Sequence, residues 1–296
     1  MLSVLIPTYN YNVYPLVREM HKQLTKSGID FEILVYEDAS TRDFDLKNML
    51  QEFPEVRYKF FAENQGKVQM LQHLSNAASY NMLLLMDADV FPSDRFFITK
   101  ALKVLQKNNA DLYYGGTSTP LQLPSKDKIL RWKFGRERES PGLEYRKKHP
   151  YSSIVCQSLL VKKEIFEKLI KEILPVRNLY ATDILFTYLL KKYQLKVAHY
   201  DNKVVHLGLD NNRDFLEKTK ASVETYYHLY KNQLIDKEHV KLVNVAEKYA
   251  PYGLCFGTKL AGKLLGKIIE KNLLSEKASL FFLDLYKLMY YCSIRK

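Results

Sequence analysis

Asn81-Met82-Leu83-Leu84-Leu85-Met86-Asp87-Ala88-Asp89-Val90 is an apolar run that ends, with no spacer, in two carboxylates one residue apart. The run is too short to cross a membrane and has the length of a strand buried on both faces. In an open α/β sheet, ligands bind beyond the carboxyl ends of the strands, so Asp87 and Asp89 fall where a ligand is expected. Two hard oxygen donors on a strand end suit Mg²⁺ or Mn²⁺, whose remaining positions take phosphate oxygens. Alternatively, the acids merely end a strand and begin the turn at Phe91-Pro92-Ser93-Asp94. Asp-x-Asp alone is too short a pattern to choose between these readings.

Upstream, the same design repeats. Leu2 to Ile6 reads as a buried strand, followed by the polar, aromatic loop Pro7-Thr8-Tyr9-Asn10-Tyr11-Asn12. A helix is predicted from Tyr14 to Lys26, with Val13, Leu16, Val17, Met20 and Leu24 on its apolar face and Ser27-Gly28 as its stop. Phe31 to Tyr36 is a second strand that ends in acid, Glu37-Asp38, before Ala39-Ser40-Thr41. Val56 to Phe61 is a third, leading through Glu63-Asn64-Gln65-Gly66-Lys67 into a helix that runs to Ser79. The Asn-x-Gly turn either offers backbone N–H groups and Lys67 to an anion or is an ordinary helix start with a solvated lysine. Successive strand–helix units predict an α/β fold with a mainly parallel, Rossmann-like sheet and right-handed crossovers. No Gly-x-Gly-x-x-Gly follows the first strand, which disfavours a dinucleotide site and hydride transfer.

Downstream, Arg95 to Lys107 reads as helix and Ala110 to Gly116 as strand. Thr117 to Tyr151 is a long polar connection, and its Arg131-Trp132-Lys133-Phe134-Gly135-Arg136-Glu137-Arg138-Glu139 either stacks on a ring and clamps a phosphate or is a solvated basic face. Val155 to Val161 is expected as a strand, Lys163 to Glu172 as a helix, and Tyr180-Ala181-Thr182-Asp183 leads into a helix ending at Lys192. Leu195 to Leu207 reads as strand, Asp-Asn turn and strand, closing on Val204-Val205-His206-Leu207-Gly208. Beyond Asp210 the pattern is helical, at Phe215 to Asn232 and Lys237 to Tyr249, with a break at Pro251-Tyr252-Gly253. Lys259, Lys263, Lys267 and Lys271 then recur every four residues beside Leu260, Leu264, Leu265, Ile268 and Ile269, a basic amphipathic helix. Such a helix either packs on the preceding domain or attaches to an anionic membrane surface. The run Ala278 to Tyr291 is aromatic, interrupted by charge and too short to span; it is expected to dip into the interface or form a partner surface. The expected division is residues 1–212 as the α/β domain and 213–296 as a helical extension.

The composition suits this layout. A chain of 296 residues, 47% hydrophobic, is large enough for a full core. Cys156, Cys255 and Cys292 lie far apart without Cys-x-x-Cys spacing, so neither a disulfide framework nor a zinc site is expected, and a reducing cytoplasm fits. Met1 runs directly into Leu2-Ser3-Val4-Leu5-Ile6, without a basic leader or cleavage site, so the mature chain is expected to start at its first strand. The formal charge of +12 favours an anionic partner: nucleotide phosphates, acidic lipid or nucleic acid. No nucleic-acid motif accompanies the charge, and nucleic acid is not the expected partner.

Taken in order, Ser3-Val4-Leu5-Ile6-Pro7-Thr8-Tyr9-Asn10, Glu37-Asp38-Ala39-Ser40-Thr41, Glu63-Asn64-Gln65-Gly66, Asp87-Ala88-Asp89, Thr182-Asp183 and Val205-His206-Leu207-Gly208 resemble the family-2 inverting glycosyltransferases of the GT-A fold. The tracts Leu130 to Glu139 and Asp201 to Leu209 are similar to a subgroup from bacterial surface-polysaccharide clusters. The resemblance implies a cytoplasmic hexosyltransferase, peripheral on the inner face of the membrane, that moves a sugar from a nucleotide-sugar donor, UDP-linked in the first instance. The acceptor would be a hydroxyl of a glycan or a lipid-linked glycan. It implies a donor site at Pro7, Thr8, Tyr9, Asp38, Gly66, Lys67, Asp87 and Ala88. It also implies a divalent Mn²⁺ or Mg²⁺ on Asp89 and His206, and Asp183 as the base that takes the acceptor proton. Two positions depart from the family pattern: Thr182 replaces an acid, and Leu71 stands where an arginine is frequent, so phosphate contacts would move to Lys67 or to Arg131 to Arg138. The alternative is a catalytically weak nucleotide-binding scaffold of the same fold. A nucleotidyltransferase is disfavoured because Pro7-Thr8-Tyr9-Asn10 occupies the place of its glycine-rich phosphate loop.

Overall fold

The computed structural model describes residues 1–295. The chain begins β1 (Leu2–Thr8), α1 (Tyr14–Ser27), β2 (Phe31–Asp38), α2 (Leu46–Met49), β3 (Val56–Phe61), α3 (Lys67–Ala77), β4 (Met82–Met86). It continues β5 (Val90–Pro92), α4 (Phe97–Lys107), β6 (Leu112–Tyr114), β7 (Thr117–Ser118), α5 (Ile129–Phe134), a π-helical turn at Gly135–Glu139, and α6 (Leu143–Lys148). Then come β8 (Ser158–Lys162), α7 (Lys163–Ile173), α8 (Asp183–Lys192), β9 (Val197–His199) and β10 (Val204–His206). Four helices complete it: α9 (Asn212–Lys231), α10 (Lys241–Tyr249), α11 (Leu254–Leu273) and α12 (Leu280–Ile294).

These elements form two compact units. The first gathers Met1–Thr119, Ser140–Asn178 and Leu189–Gly208. Its main sheet has seven strands in the order β3-β2-β1-β4-β8-β6-β9. β1, β2, β3 and β4 run parallel, whereas β8 is antiparallel to both of its neighbours. The apolar runs read from the sequence sit at the centre: Val4, Leu5, Ile6, Leu83, Leu84 and Leu85 are buried, as a strand covered on both faces requires. β3, at the sheet edge, carries exposed Arg57, Lys59 and Phe60. The predicted face of α1, from Val13 to Leu24, is buried as expected. A second sheet of three strands, β5-β10-β7, lies in the same unit.

The second unit contains Pro120–Glu139, Leu179–Tyr188 and the helices from Leu209 onward. Its core unites Leu130 of α5 with Phe215 and Leu216 of α9, Ile269 and Leu273 of α11, and Leu280 and Leu283 of α12.

Several sequence expectations are corrected. The connection Thr117 to Tyr151, expected as a polar loop, contains β7, α5, the π turn and α6. Leu130 and Phe134 of α5 pack against residues of α9, α11 and α12, far along the chain, so local periodicity hides that helix. Leu195 to Leu207 is strand, turn and strand as expected, but the two strands part: β9 pairs with β6 in the large sheet and β10 with β5 and β7 in the small one. The run Ala278 to Tyr291 is largely α12, a regular helix in which Leu280, Leu283, Met289 and Tyr291 are buried within the unit and Phe281 is exposed. Cys255 of α11 and Cys292 of α12 form a disulfide, against the expectation of none. The two helices pack together and bring Cα atoms 37 residues apart in sequence to 4.9 Å. Cys156 is free and buried. Among the described residues, no helix is long and apolar enough to cross a membrane.

Candidate active site

Parallel pairing brings the carboxyl ends of β1, β2 and β4 to one edge of the main sheet. The residues at and just beyond those ends line a cleft of about 250 Å³: Pro7 and Thr8 at the end of β1, Tyr9 and Tyr11 after it, Asp38 at the end of β2, and Asp87, Ala88 and Asp89 after β4. Lys67 and Met70, one turn apart on α3, complete the lining. Pro7, Thr8, Tyr9, Asp38, Lys67, Asp87, Ala88 and Asp89, all singled out from the sequence, thus line one cleft. Tyr11 and Met70 were not among the predicted residues. Tyr11 lies in the aromatic loop already singled out, and Met70 is three residues after Lys67, on the same helix face, which is the signal that could have found it.

Gly66, also predicted, is not among the lining residues and acts through the turn that opens α3. It precedes α3 with φ +77°, a conformation glycine adopts without strain. The buried Asp38 carboxylate accepts from Gln65 N (2.6 Å) and Gly66 N (2.9 Å), and Asn64 Nδ2 donates to the Asp38 carbonyl at 3.2 Å. Asp38 therefore holds the Asn-x-Gly turn against the end of β2. Asn10 joins the β1 and β2 loops: its N–H donates to Ser40 Oγ at 2.8 Å, and its Oδ1 accepts from Thr41 N (2.8 Å) and Arg42 N (3.0 Å). Lys67 Nζ lies 2.6 Å from Asp87 Oδ1, so cation and carboxylate meet at the cleft.

Asp87-Ala88-Asp89 is the link by which the chain leaves β4 of the large sheet for β5 of the small one. Antiparallel pairing of β5 with β10 sets His206 opposite Val90. His206 Nε2 consequently lies 3.0 Å from Asp89 Oδ2, and Leu207 N donates to the Asp89 carbonyl at 2.8 Å. Burial works to raise the Asp89 pKa, but the hydrogen bond and charge of His206, together with the charge of Lys67, outweigh it and hold the carboxyl below its ordinary value. Burial, with the Asp89 charge adding to it, raises the Tyr11 hydroxyl. Gly208 fits because it lacks a side chain: a Cβ there would stand 2.0 Å from Asp89 Oδ2.

No cluster of three or more His, Cys, Asp or Glu side chains suited to a metal occurs among the described residues. Asp89 and His206 nevertheless fit two places of one coordination shell. Their 3.0 Å separation is that of adjacent donors in an octahedron with bonds of about 2.1 Å. A carboxylate and an imidazole are a donor set that Mn²⁺ accepts, with the remaining positions left for phosphate oxygens or water.

Asp183 belongs to the second unit, where it opens α8 after Ala181, whose φ is +56°. In that unit burial pushes the Tyr226 hydroxyl up to about 12, and the charges of Asp183 and Glu139 add to the shift. The arginine tract is engaged by its own unit. Arg131 Nη1 lies 2.7 Å from Glu139 Oε2 and its guanidinium is 5.4 Å from the centre of the Phe215 ring. Arg136 stacks over Trp132, and Arg138 Nη2 lies 3.0 Å from Asp284 Oδ2. Leu71, at the position where the family often has arginine, is buried in the first unit and packs there as core.

A cleft of strand-end carboxylates and a helix-opening lysine, at the carboxyl edge of a mainly parallel sheet, defines a GT-A-type α/β protein. Residues 3–170 match the model of glycosyl transferase family 2, more than half the chain, and the protein belongs to that family. Among solved structures, it is similar to the mannosyltransferase PcManGT from Pyrobaculum calidifontis in complex with GDP-Man and Mn²⁺. Identity is 16%, the TM-score is 0.54, and 99% of this chain and 84% of that chain are covered. S. aureus TarS 1-349 matches at 13% identity and a TM-score of 0.48, over 99% of this chain and 89% of that one. A search of curated proteins finds no match.

Proposed function

We propose that this family-2 glycosyltransferase moves a hexosyl group from a nucleotide-sugar donor, a UDP-sugar in the first instance, to a hydroxyl of a glycan or lipid-linked acceptor in surface-polysaccharide synthesis. The observation that carries the reading is the convergence of Thr8, Asp38, Lys67, Asp87 and the Asp89–His206 pair on one strand-end edge. The GDP-Man and Mn²⁺ bound by PcManGT are consistent with a nucleoside diphosphate there.

Thr8 and Asp38 bind the base and ribose, and Asp87 contacts the ribose or the donor sugar. Lys67 sets a positive charge beside the diphosphate, where negative charge grows as the glycosidic bond breaks. A divalent cation, when bound at Asp89 and His206, supplies further neutralisation of the leaving diphosphate. Asp183 takes the proton of the acceptor hydroxyl as it attacks the anomeric carbon, and a single in-line displacement inverts that centre. An anionic lipid surface is the partner proposed for the enzyme's C-terminal helical region.

Calorimetric titration with UDP, GDP, CDP and dTDP, with and without Mn²⁺, tests the donor site. One nucleotide binds in a Mn²⁺-dependent manner, and Asp89→Ala abolishes that dependence. Asp183→Asn lowers turnover by about 10²- to 10⁴-fold while leaving nucleotide affinity intact. Nucleotide binding without turnover in the unmodified protein would instead favour the catalytically weak scaffold, in line with Thr182 and Leu71 departing from the family pattern.

A further inference from the structure

α11 has two unlike faces. Inward, Thr258, Ile269 and Leu273 are buried, Cys255 is tied to Cys292, and Gly262 abuts Met289 of α12 so closely that a Cβ would meet its Cε at 3.1 Å. Outward, Phe256, Leu260, Leu264 and Ile268 recur every fourth residue and form a stripe. These four side chains are 77%, 52%, 71% and 63% exposed. A helix that only packs on its own unit carries polar residues at such positions.

Lys259, Lys263, Lys267 and Lys271 keep the same four-residue spacing, and all are exposed. Each of the first three directly precedes a stripe residue, so the lysines run along the edge of the apolar strip instead of opposite it. Glu270 is the sole acid in α11. A second copy docking on this stripe would bring two lysine rows together, and like charges juxtaposed across an interface oppose it. A lipid surface has the reverse complementarity, with apolar chains for the stripe and phosphates for lysines whose stems lie along the apolar strip.

From this arrangement we propose that α11 lies in the plane of an anionic lipid surface, with Phe256, Leu260, Leu264 and Ile268 inserted at the acyl boundary and the four lysines at the headgroup phosphates. α12 is left out of the insertion, because Leu280, Leu283, Met289, Tyr291 and Cys292 are buried within the second unit and Phe281 is its one exposed apolar residue among those described, too few to form a stripe. The proposal names the residues of the membrane partner offered above, and it stands on the surface of α11 alone, independent of the donor cleft.

The full-length protein is sedimented with phosphatidylcholine vesicles, pure or containing about one-third phosphatidylglycerol, at about 0.05 M and about 0.5 M salt. It pellets with the anionic vesicles at low salt and largely stays in solution with the neutral ones. Leu264→Glu with Ile268→Glu abolishes pelleting without changing the melting temperature or nucleotide affinity. Lys263→Gln with Lys267→Gln weakens binding about 30-fold at low salt. Absence of pelleting with anionic vesicles, equal binding to neutral ones, or pelleting that survives the double glutamate variant overturns the proposal. So does a concentration-dependent dimer, seen by analytical ultracentrifugation, that the glutamates dissolve, since the stripe would then be a self-interface. Loss of nucleotide binding in the unmodified protein would bear on the donor site and leave the vesicle result standing.

Discussion

Gly208→Ala tests the architecture around Asp89 with one added methyl group. The new Cβ would lie 2.0 Å from Asp89 Oδ2, 2.8 Å from its Cγ and 3.0 Å from its Cβ. Real Cβ atoms do not approach other heavy atoms below 3.0 Å, so one side must retreat by at least about 1 Å. If Asp89 turns away, its 3.0 Å contact with His206 is lost. If the main chain at 208 withdraws, the 2.8 Å bond from Leu207 N to the Asp89 carbonyl is strained. Overpacking costs about 1–3 kcal/mol, and a hydrogen bond to a charged group is worth about 1.5–3 kcal/mol. Relief of one entails loss of the other, so the expected total is about 2–3 kcal/mol. Borne by the bound state, that is a loss of about 30- to 150-fold in Mn²⁺-dependent nucleotide affinity. Calorimetric titration and thermal melts measure both routes, with Gly266→Ala as the reference. Gly266 sits inside α11 with open space at its Cβ, so alanine there is expected to stabilise by about 0.5–1 kcal/mol. A Gly208→Ala protein that binds and melts like the unmodified chain would refute the reasoning.

Asp38→Asn places an amide NH₂ against one of the two backbone N–H groups that the carboxylate now accepts, costing about 1–3 kcal/mol and lowering nucleotide affinity about tenfold. Unchanged affinity and melting temperature would show that the turn before α3 does not depend on it. Burial holds the His199 pKa below the ordinary 6.5 against the opposing effect of its bond to the Pro150 carbonyl, and the Arg146 charge adds a smaller push in the same direction as burial. The folded protein therefore favours neutral His199. Stability is complete above about pH 6.5 and falls as the pH drops below it, because the unfolded chain then binds the extra proton. His199→Gln should flatten the fall in melting temperature between pH 7 and pH 5, and an identical slope in both proteins would exclude this residue as its source. For the Cys255–Cys292 bridge, the 37-residue separation corresponds to about 4 kcal/mol of loop entropy, lost on reduction. Thiol titration of the denatured, unreduced protein should find only Cys156 reactive, whereas three reactive thiols would mean no bridge.

Much of the first unit was legible because its information is local. The runs Leu2 to Ile6 and Met82 to Met86 are uninterrupted apolar segments of strand length, and acids or polar loops begin where they stop. Parallel strands bring such stops to one edge, so Thr8, Asp38, Asp87 and Asp89 could be expected in one cleft before any contact was known. Helix faces such as Val13 to Leu24 follow from the same short-range periodicity. Tertiary structure alone decided that β8 enters the sheet antiparallel, that β9 and β10 separate into different sheets, and that Pro120–Glu139 packs with the C-terminal helices. It also decided that His206 meets Asp89 across 117 residues of chain, that Gly208 must be small, and that Cys255 finds Cys292. The physical reason is one of range. Burial periodicity is set by neighbours within a few residues, whereas strand register and side-chain approach depend on pairing energies between distant segments, which local sequence patterns do not express.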